Sequence, residues 1–225
     1  ANPDDLSFEY LSELKSLGVN RLSIGVQSFS DNDLVNLGRR HNAKQAISSV
    51  EQAGKAGFSN ISIDLIYGLP YSSTEIWKNN LEKAFSLPIQ HLSCYHLIYE
   101  EGTPLFKNVK ANKVTPIDDD ISVEQFKLLQ QWAKERNFTH YEISNLAKED
   151  FYSKHNLSYW TQKPYLGLGP SAHSFNIHTR EWNPRSIAQW KDSLHKDWLN
   201  TNSETLSDKD KINEYLLTTL RTIWG

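Results

Sequence analysis

The spacing of hydrophobic residues changes period several times along the chain, and each change marks an element. After Ser7, the residues Leu11, Leu14 and Leu17 recur at helical spacing until Gly18. A helix capped by Ser7 and stopped at that glycine is predicted. In NRLSIGVQS, Leu22, Ile24 and Val26 alternate with Arg21, Ser23, Gly25 and Gln27, which is the period of a strand. Asp31 to about Gly57 is helical in one or two pieces, with Ile47, Val50 and Ala53 inward. NISIDLIYGLP reads as a second strand, stopped by Gly68 and Pro70, and Thr74 to Leu87 as a helix. Its first turn carries Glu75, which suits the positive end of a helix. HLSCYHLIY is a third strand, followed by a polar, lysine-containing loop. VEQFKLLQQWAKERN is an amphipathic helix with Phe126 and Leu129 inside, and THYEISNLA is a fourth strand.

Strands alternating with helices call for parallel strands and right-handed crossovers. The expected fold class is therefore α/β: a partial TIM-like barrel of parallel βα units over residues 1–150. Beyond Phe151 the rhythm is lost. Residues 155 to 183 are rich in aromatics, glycine and histidine and read as short strands and loops. From Ile187 the pattern is helical again, with a polar interruption at TNSETLSDKD. Residues 151–225 are thus expected to begin a mixed, mainly helical C-terminal region. In a barrel the chemistry gathers at the C-terminal ends of the strands, so polar residues there are the first candidates.

Gln27 ends the first strand. Asp64, inside IDLIYG, shares a side with Ser62. A carboxylate there is expensive to bury alone, so it pairs with a cation such as Arg21 or meets a ligand hydroxyl. Arg39 and Arg40 fall in a helix after SFSDND, either as solvated surface or as a clamp for a ligand carboxylate. Cys94 and His96 alternate on the third strand. A Cys-x-His pair is weak metal chemistry, and Cys94 reads as a small buried hydrophobe. HNLSYW, at 155 to 160, and YLGLGPSAHSF, from 165, gather His155, Tyr159, Trp160 and His173 around a glycine run. They form either a core strand and turn, with His173 tying down the glycine loop, or a surface for a flat, metal-bearing ligand.

The totals narrow the choices. Of 225 residues, 38% are hydrophobic, enough for a core, and the net charge is −3. That balance gives no basic footprint for nucleic acid. No apolar run is long enough to span a bilayer. The single cysteine excludes an internal disulfide and fits a cytoplasmic location. The chain opens on ANPDD and stops after TLRTIWG, which reads as an internal piece of a longer protein.

NRLSIGVQSF, GRRH, NISIDLIYGLP and YLGLGPSAHSF together resemble the oxygen-independent coproporphyrinogen III oxidase-like radical S-adenosylmethionine proteins, along almost the whole chain. HNLSYW is similar to the HNxxYW pattern of that family's heme-chaperone branch. The resemblance implies a radical S-adenosylmethionine barrel. It also implies that Gln27, Arg39, Asp64 and Ile98 contact S-adenosylmethionine, and that His155 is an axial ligand to heme iron. Tyr159 and Trp160 are then expected to pack on the macrocycle. The implied cofactors are S-adenosylmethionine, a 4Fe–4S cluster and heme. The implied partners are heme or a porphyrin, heme-receiving apo-proteins and peripheral membrane proteins. The oligomeric state stays open.

One departure is large. The family holds its cluster through three cysteines in CxxxCxxC, followed by a glycine-rich strand end, and neither is in this chain. The chain alone is therefore expected to be catalytically inactive. Two activities follow from the resemblance: a heme chaperone, or radical oxidative decarboxylation of coproporphyrinogen III.

Overall fold

A computed structural model describes residues 1–195 and 202–224. The chain divides into two compact units, Ala1–Tyr152 and Ser153–Gly225. The first unit opens with a short 3-10 turn at Pro3–Asp5. The elements α1 (Phe8–Ser16), β1 (Leu22–Gln27), α2 (Asp31–Asn36), α3 (Ala43–Lys55) and β2 (Ile61–Tyr67) follow. Then come α4 (Thr74–Ser86), β3 (His91–His96), α5 (Pro104–Lys110) and α6 (Asp119–Glu135). Ser7 caps α1 by accepting from the Tyr10 amide, and Asn42 and Gln45 make a reciprocal capping box on α3.

The strands β1, β2 and β3 are parallel neighbours, in register Leu22 with Ile61 and Ile63 with Leu92. Their apolar sides, including Ile24, Val26, Ile61, Ile63, Leu65 and Leu92, join Val50, Ala53, Trp77, Leu81 and Leu129 of the helices in one core. Each fully buried aliphatic side chain there contributes roughly 1.5–3 kcal/mol. Trp77 is 2% exposed, and its indole N–H donates to the Gln125 carbonyl at 2.8 Å.

The parallel, partly closed α/β arrangement is the expected one, with three corrections of detail. The predicted fourth strand is a hairpin, β4 (Thr139–Glu142) and β5 (Asn145–Ala147). The sheet order is β1-β2-β3-β5-β4, so the antiparallel return strand β5 lies between β3 and β4. The turn has no glycine: the Glu142 carboxylate closes it by accepting from the Ser144 amide and the Asn145 side chain. The polar loop after β3 contains α5, which Thr103 caps. Arg39 and Arg40 sit in the connection between α2 and α3, not in a helix.

The second unit contains α7 (Lys154–Trp160), β6 (His173–Phe175), β7 (Thr179–Trp182), α8 (Ile187–His195), β8 (Asn202–Thr205) and α9 (Asp208–Thr219). Its three strands form an antiparallel sheet in the order β6-β7-β8. Arg180 ties this sheet to α9, reaching Glu204 at 3.0 Å and Glu214 at 2.8 Å. HNLSYW is helical, not a strand and turn. Its backbone closes from Leu157 N to Ser153 O and from Thr161 N to Leu157 O, each at 2.9 Å. Among the described residues no helix is long and apolar enough to cross a membrane.

Candidate functional site

The strand alternation that buries the apolar side puts a polar row on the other side of the sheet. That row runs Ser23 and Gly25 on β1, Ser62 and Asp64 on β2, and His91 and Ser93 on β3. In β1 and β2 this leads toward Gln27 and the Tyr67–Gly68 turn at the C-terminal ends.

Gln27 and Arg39 converge over Gly25. A methyl group built on Gly25 would stand 2.8 Å from the Gln27 amide nitrogen and 3.6 Å from an Arg39 guanidinium nitrogen. Glycine at that position is thus what lets the Gln27 amide fold down onto the strand, while Arg39 lies at ordinary contact distance beside it. Arg39 Nη2 donates to Asn2 Oδ1 at 2.8 Å and to the Gly25 carbonyl at 3.4 Å. Its Nε is buried with no partner. A buried guanidinium N–H left unpaired is a donor waiting for an acceptor.

Asp64 is held on the same side of the sheet. The Ser23 hydroxyl donates to it at 3.2 Å, and Ser93 donates as well. Burial raises its pKa, and the two serine hydroxyls offset this only partly. Arg21 acts on Asp64 as a nearby charge, while the hydrogen bonds come from serines. Ile98 follows β3, where the Leu97 amide donates to the Tyr67 carbonyl at the end of β2. It is 78% exposed, an apolar group free to cover a ligand at that rim. Arg40 takes no part: it pairs with Asp4 and Asp5.

Residue patterns alone missed two groups. Ser23 and Ser93 become partners of Asp64 only through strand register, which alternation does not specify. Deeper in the same row, His91 lies between the Ser62 and Tyr141 hydroxyls, each at 2.7 Å. Burial, and secondarily the Arg21 charge, lower its pKa to about 3. At neutral pH this is an uncharged imidazole in a buried hydroxyl chain.

The cluster implied by the resemblance does not fit these residues. Its iron needs thiolates. Cys94 is the one cysteine of the chain, is 2% exposed, and stands among the core residues opposite Leu65. Burial, and then the Asp64 charge, push its thiol pKa well above the usual value. Among the described residues no group of three or more His, Cys, Asp or Glu is placed to hold a metal ion. Anaerobic reconstitution of this polypeptide with iron and sulfide is expected to leave no stable absorbance near 400 nm after desalting; a retained cluster band would contradict this.

In the second unit, His155 and Tyr159 lie one turn apart on α7. The imidazole Nε2 is 3.2 Å from the Tyr159 hydroxyl, and the rings meet edge to face. Both residues are exposed. Tyr159 continues into an aromatic row through Tyr165 to Phe175, with ring centroids 4.8 and 5.9 Å apart. A cavity of about 320 Å³ is bounded by Tyr159, Tyr165, Phe175, Arg180 and Leu217. Trp160 does not share the face of Tyr159, because adjacent helical residues diverge by about 100°. Its ring lies under the Arg221 guanidinium at 5.4 Å, and its indole N–H is buried without a partner. The helix therefore brings His155 and Tyr159 together and separates Trp160 from them. His173 stacks on Trp182 and does not tie the glycine loop. Ser174 and Asn183 do that, through Gly167 N and the Gly167 and Gly169 carbonyls.

Residues 1–84 match the profile of the Radical SAM superfamily. "Heme chaperone HemW" of Bacillus subtilis (strain 168) is 35% identical, over 100% of this chain and 60% of its own length. "Radical S-adenosyl methionine domain-containing protein 1, mitochondrial" of Bos taurus is 34% identical, over 100% of this chain and 53% of its own length. The chain thus spans little more than half the length of these relatives. Among solved structures, coproporphyrinogen III oxidase (HemN) from Escherichia coli superposes with a TM-score of 0.79. It is 19% identical, over 99% of this chain and 54% of that one. At that identity the likeness establishes a shared fold.

Proposed function

Because the chain belongs to the radical SAM superfamily and has HemW-like relatives along its whole length, we propose that it works in a heme chaperone, with S-adenosylmethionine held by the first unit and heme met by the second. The observation that carries the heme reading is the exposed imidazole of His155, one turn from Tyr159 on α7. A histidine that ligates a metal through one nitrogen is oriented by a hydrogen bond at the other. The Tyr159 hydroxyl, 3.2 Å from Nε2, is placed to orient the imidazole, and His155 would supply a ring nitrogen to the iron. Tyr159 supplies an aromatic surface for the ring of the ligand, whereas Trp160 acts from another face of the helix.

In the first unit the residues present suit S-adenosylmethionine, whose sulfonium, carboxylate and ribose hydroxyls give such a site its chemistry. Arg39 takes the methionyl carboxylate, with its unpaired Nε as the reserve donor. Asp64 accepts from the ribose hydroxyls, Gln27 orients the ligand by its amide, and Ile98 covers it.

Hemin titration followed in the Soret region tests the chaperone reading. His155→Ala is expected to shift the Soret band and weaken binding about 5-fold, roughly 1 kcal/mol. Trp160→Phe is expected to leave the band in place. An unchanged spectrum and affinity for His155→Ala would remove the assignment. Decarboxylated product from coproporphyrinogen III under reducing, anaerobic conditions would favour the oxidase instead.

A further inference from the structure

The end of β1 carries a strained turn that the S-adenosylmethionine contacts do not themselves explain. Gln27 has φ = 69°. Across it, the Ser28 amide donates to the Val26 carbonyl at 2.9 Å. A three-residue turn with positive φ at its centre is the rare and strained form of the γ-turn. The register of β1 against β2 slips between Ile24 and Gln27. A non-glycine residue persists in such a conformation only where its surroundings over-determine it.

Here the surroundings are a buried polar clamp gathered from two helices and the connection before α3. His41, just before α3, brings Nε2 to 3.0 Å from the same Val26 carbonyl. The Ser28 hydroxyl donates to Asp33 of α2 at 2.8 Å and accepts from Asn80 of α4 at 3.1 Å. Asn80 Oδ1 in turn accepts from the Phe29 amide at 2.7 Å. Ser28, Asp33, His41 and Asn80 are each no more than 3% exposed. Asp33 Oδ1 and His41 Nδ1 have no hydrogen-bond partner. A group of polar side chains buried this deeply and incompletely satisfied is destabilising by itself. What it secures is the place of Gln27, whose amide is folded back over Gly25 beside Arg39.

We infer that Ser28, Asp33, His41 and Asn80 are positioning residues that hold Gln27 in its strained turn, so that its amide and the Arg39 guanidinium stand ready together at the ligand mouth. The inference rests on the reading of Gln27 and Arg39 as S-adenosylmethionine contacts. The clamp acts through Gln27 and touches no ligand.

Two measurements on the 225-residue chain test this. The first is the S-adenosylmethionine dissociation constant, by calorimetry, for wild type, Gln27→Ala, Asn80→Ala and the double variant. Each single change is expected to weaken binding about 5- to 10-fold, with the double variant no weaker than Gln27→Ala alone. Multiplied losses would show that Asn80 acts by some other route and would overturn the inference.

The second is the urea midpoint of Gln27→Gly in two backgrounds. With the clamp intact, glycine relieves the positive φ and the midpoint rises. With Asn80→Ala the turn relaxes unaided, and the same change leaves the midpoint unmoved or lowers it. Equal shifts in both backgrounds would overturn the inference. If wild type does not bind S-adenosylmethionine, the ligand reading falls and the urea comparison alone judges the clamp. His41→Gln, which loosens the Val26 carbonyl from the other side, replaces Asn80→Ala should that variant not fold.

Discussion

Replacing Asp64 with Asn is expected to stabilise the chain at neutral pH and to weaken its affinity for S-adenosylmethionine by about 10- to 100-fold, or ~1.5–3 kcal/mol, the range for hydrogen bonds to a charged group. Both effects come from one carboxylate. Burial raises the pKa of Asp64 from 3.8, and the hydroxyls of Ser93 and Ser23 offset this only in part. A raised folded-state value means the folded chain holds this proton more firmly than the unfolded chain does. The associated stability is fully present below pH 3.8 and is lost as pH rises through the folded value. Asn has no such loss, so the variant's advantage grows with pH. The amide keeps the shape but gives up the charge that accepts from a ribose diol. Urea midpoints at pH 4 and pH 7.5, with calorimetric titration at pH 7.5, check both halves. A variant that is less stable at pH 7.5, or that binds as well as wild type, would show that Asp64 is a structural carboxylate and not a ligand group.

The second large effect is acid destabilisation centred on His91. Its pKa is lowered from 6.5 to about 3 by burial, with a smaller contribution from Arg21. The unfolded chain therefore binds the proton first. Stability from the neutral imidazole is present above pH 6.5 and is lost as pH falls toward 3. The full span corresponds to about 3–5 kcal/mol, at 1.36 kcal/mol for each pH unit. His91→Gln starts from lower stability, because the hydroxyls of Ser62 and Tyr141 lose a well-placed partner. Its stability should nevertheless fall much less steeply between pH 6.5 and pH 4. The Asp64 effect has the opposite sign with pH, so the two variants separate the two groups. Parallel pH profiles for wild type and His91→Gln would assign the acid sensitivity elsewhere.

These two groups also show why part of the site could not be read along the chain. Asp64 stands out in sequence because a carboxylate interrupts an apolar strand. Its partners Ser23 and Ser93 do not, since serine is unremarkable on any strand. They become a site only when β1, β2 and β3 align side by side. His91 likewise looks like the polar start of a strand, and its depressed pKa exists only because the closed fold buries it, with the Arg21 charge adding to the effect.

The hairpin at 139–147 was hidden for a related reason. A carboxylate closes its turn, in place of the Asn-Gly or Gly-containing turns that normally announce one. HNLSYW was ambiguous because aromatic residues are common in strands and its helix is only two turns long. Once it is helical, His155 and Tyr159 are partners and Trp160 is not.

Local pattern was sufficient for the strand–helix order of the first unit as far as β3, its parallel β1-β2-β3 core and the polar residues at the strand ends. Periodicity and capping are properties of neighbouring residues, and they survive without knowledge of the fold. Tertiary structure alone decided the register that surrounds Asp64 with serines, the buried contacts that bend the chain at Gln27, and the face of α7 on which each aromatic falls. Each of these depends on groups far apart in the chain, and their distances are set only when the core closes.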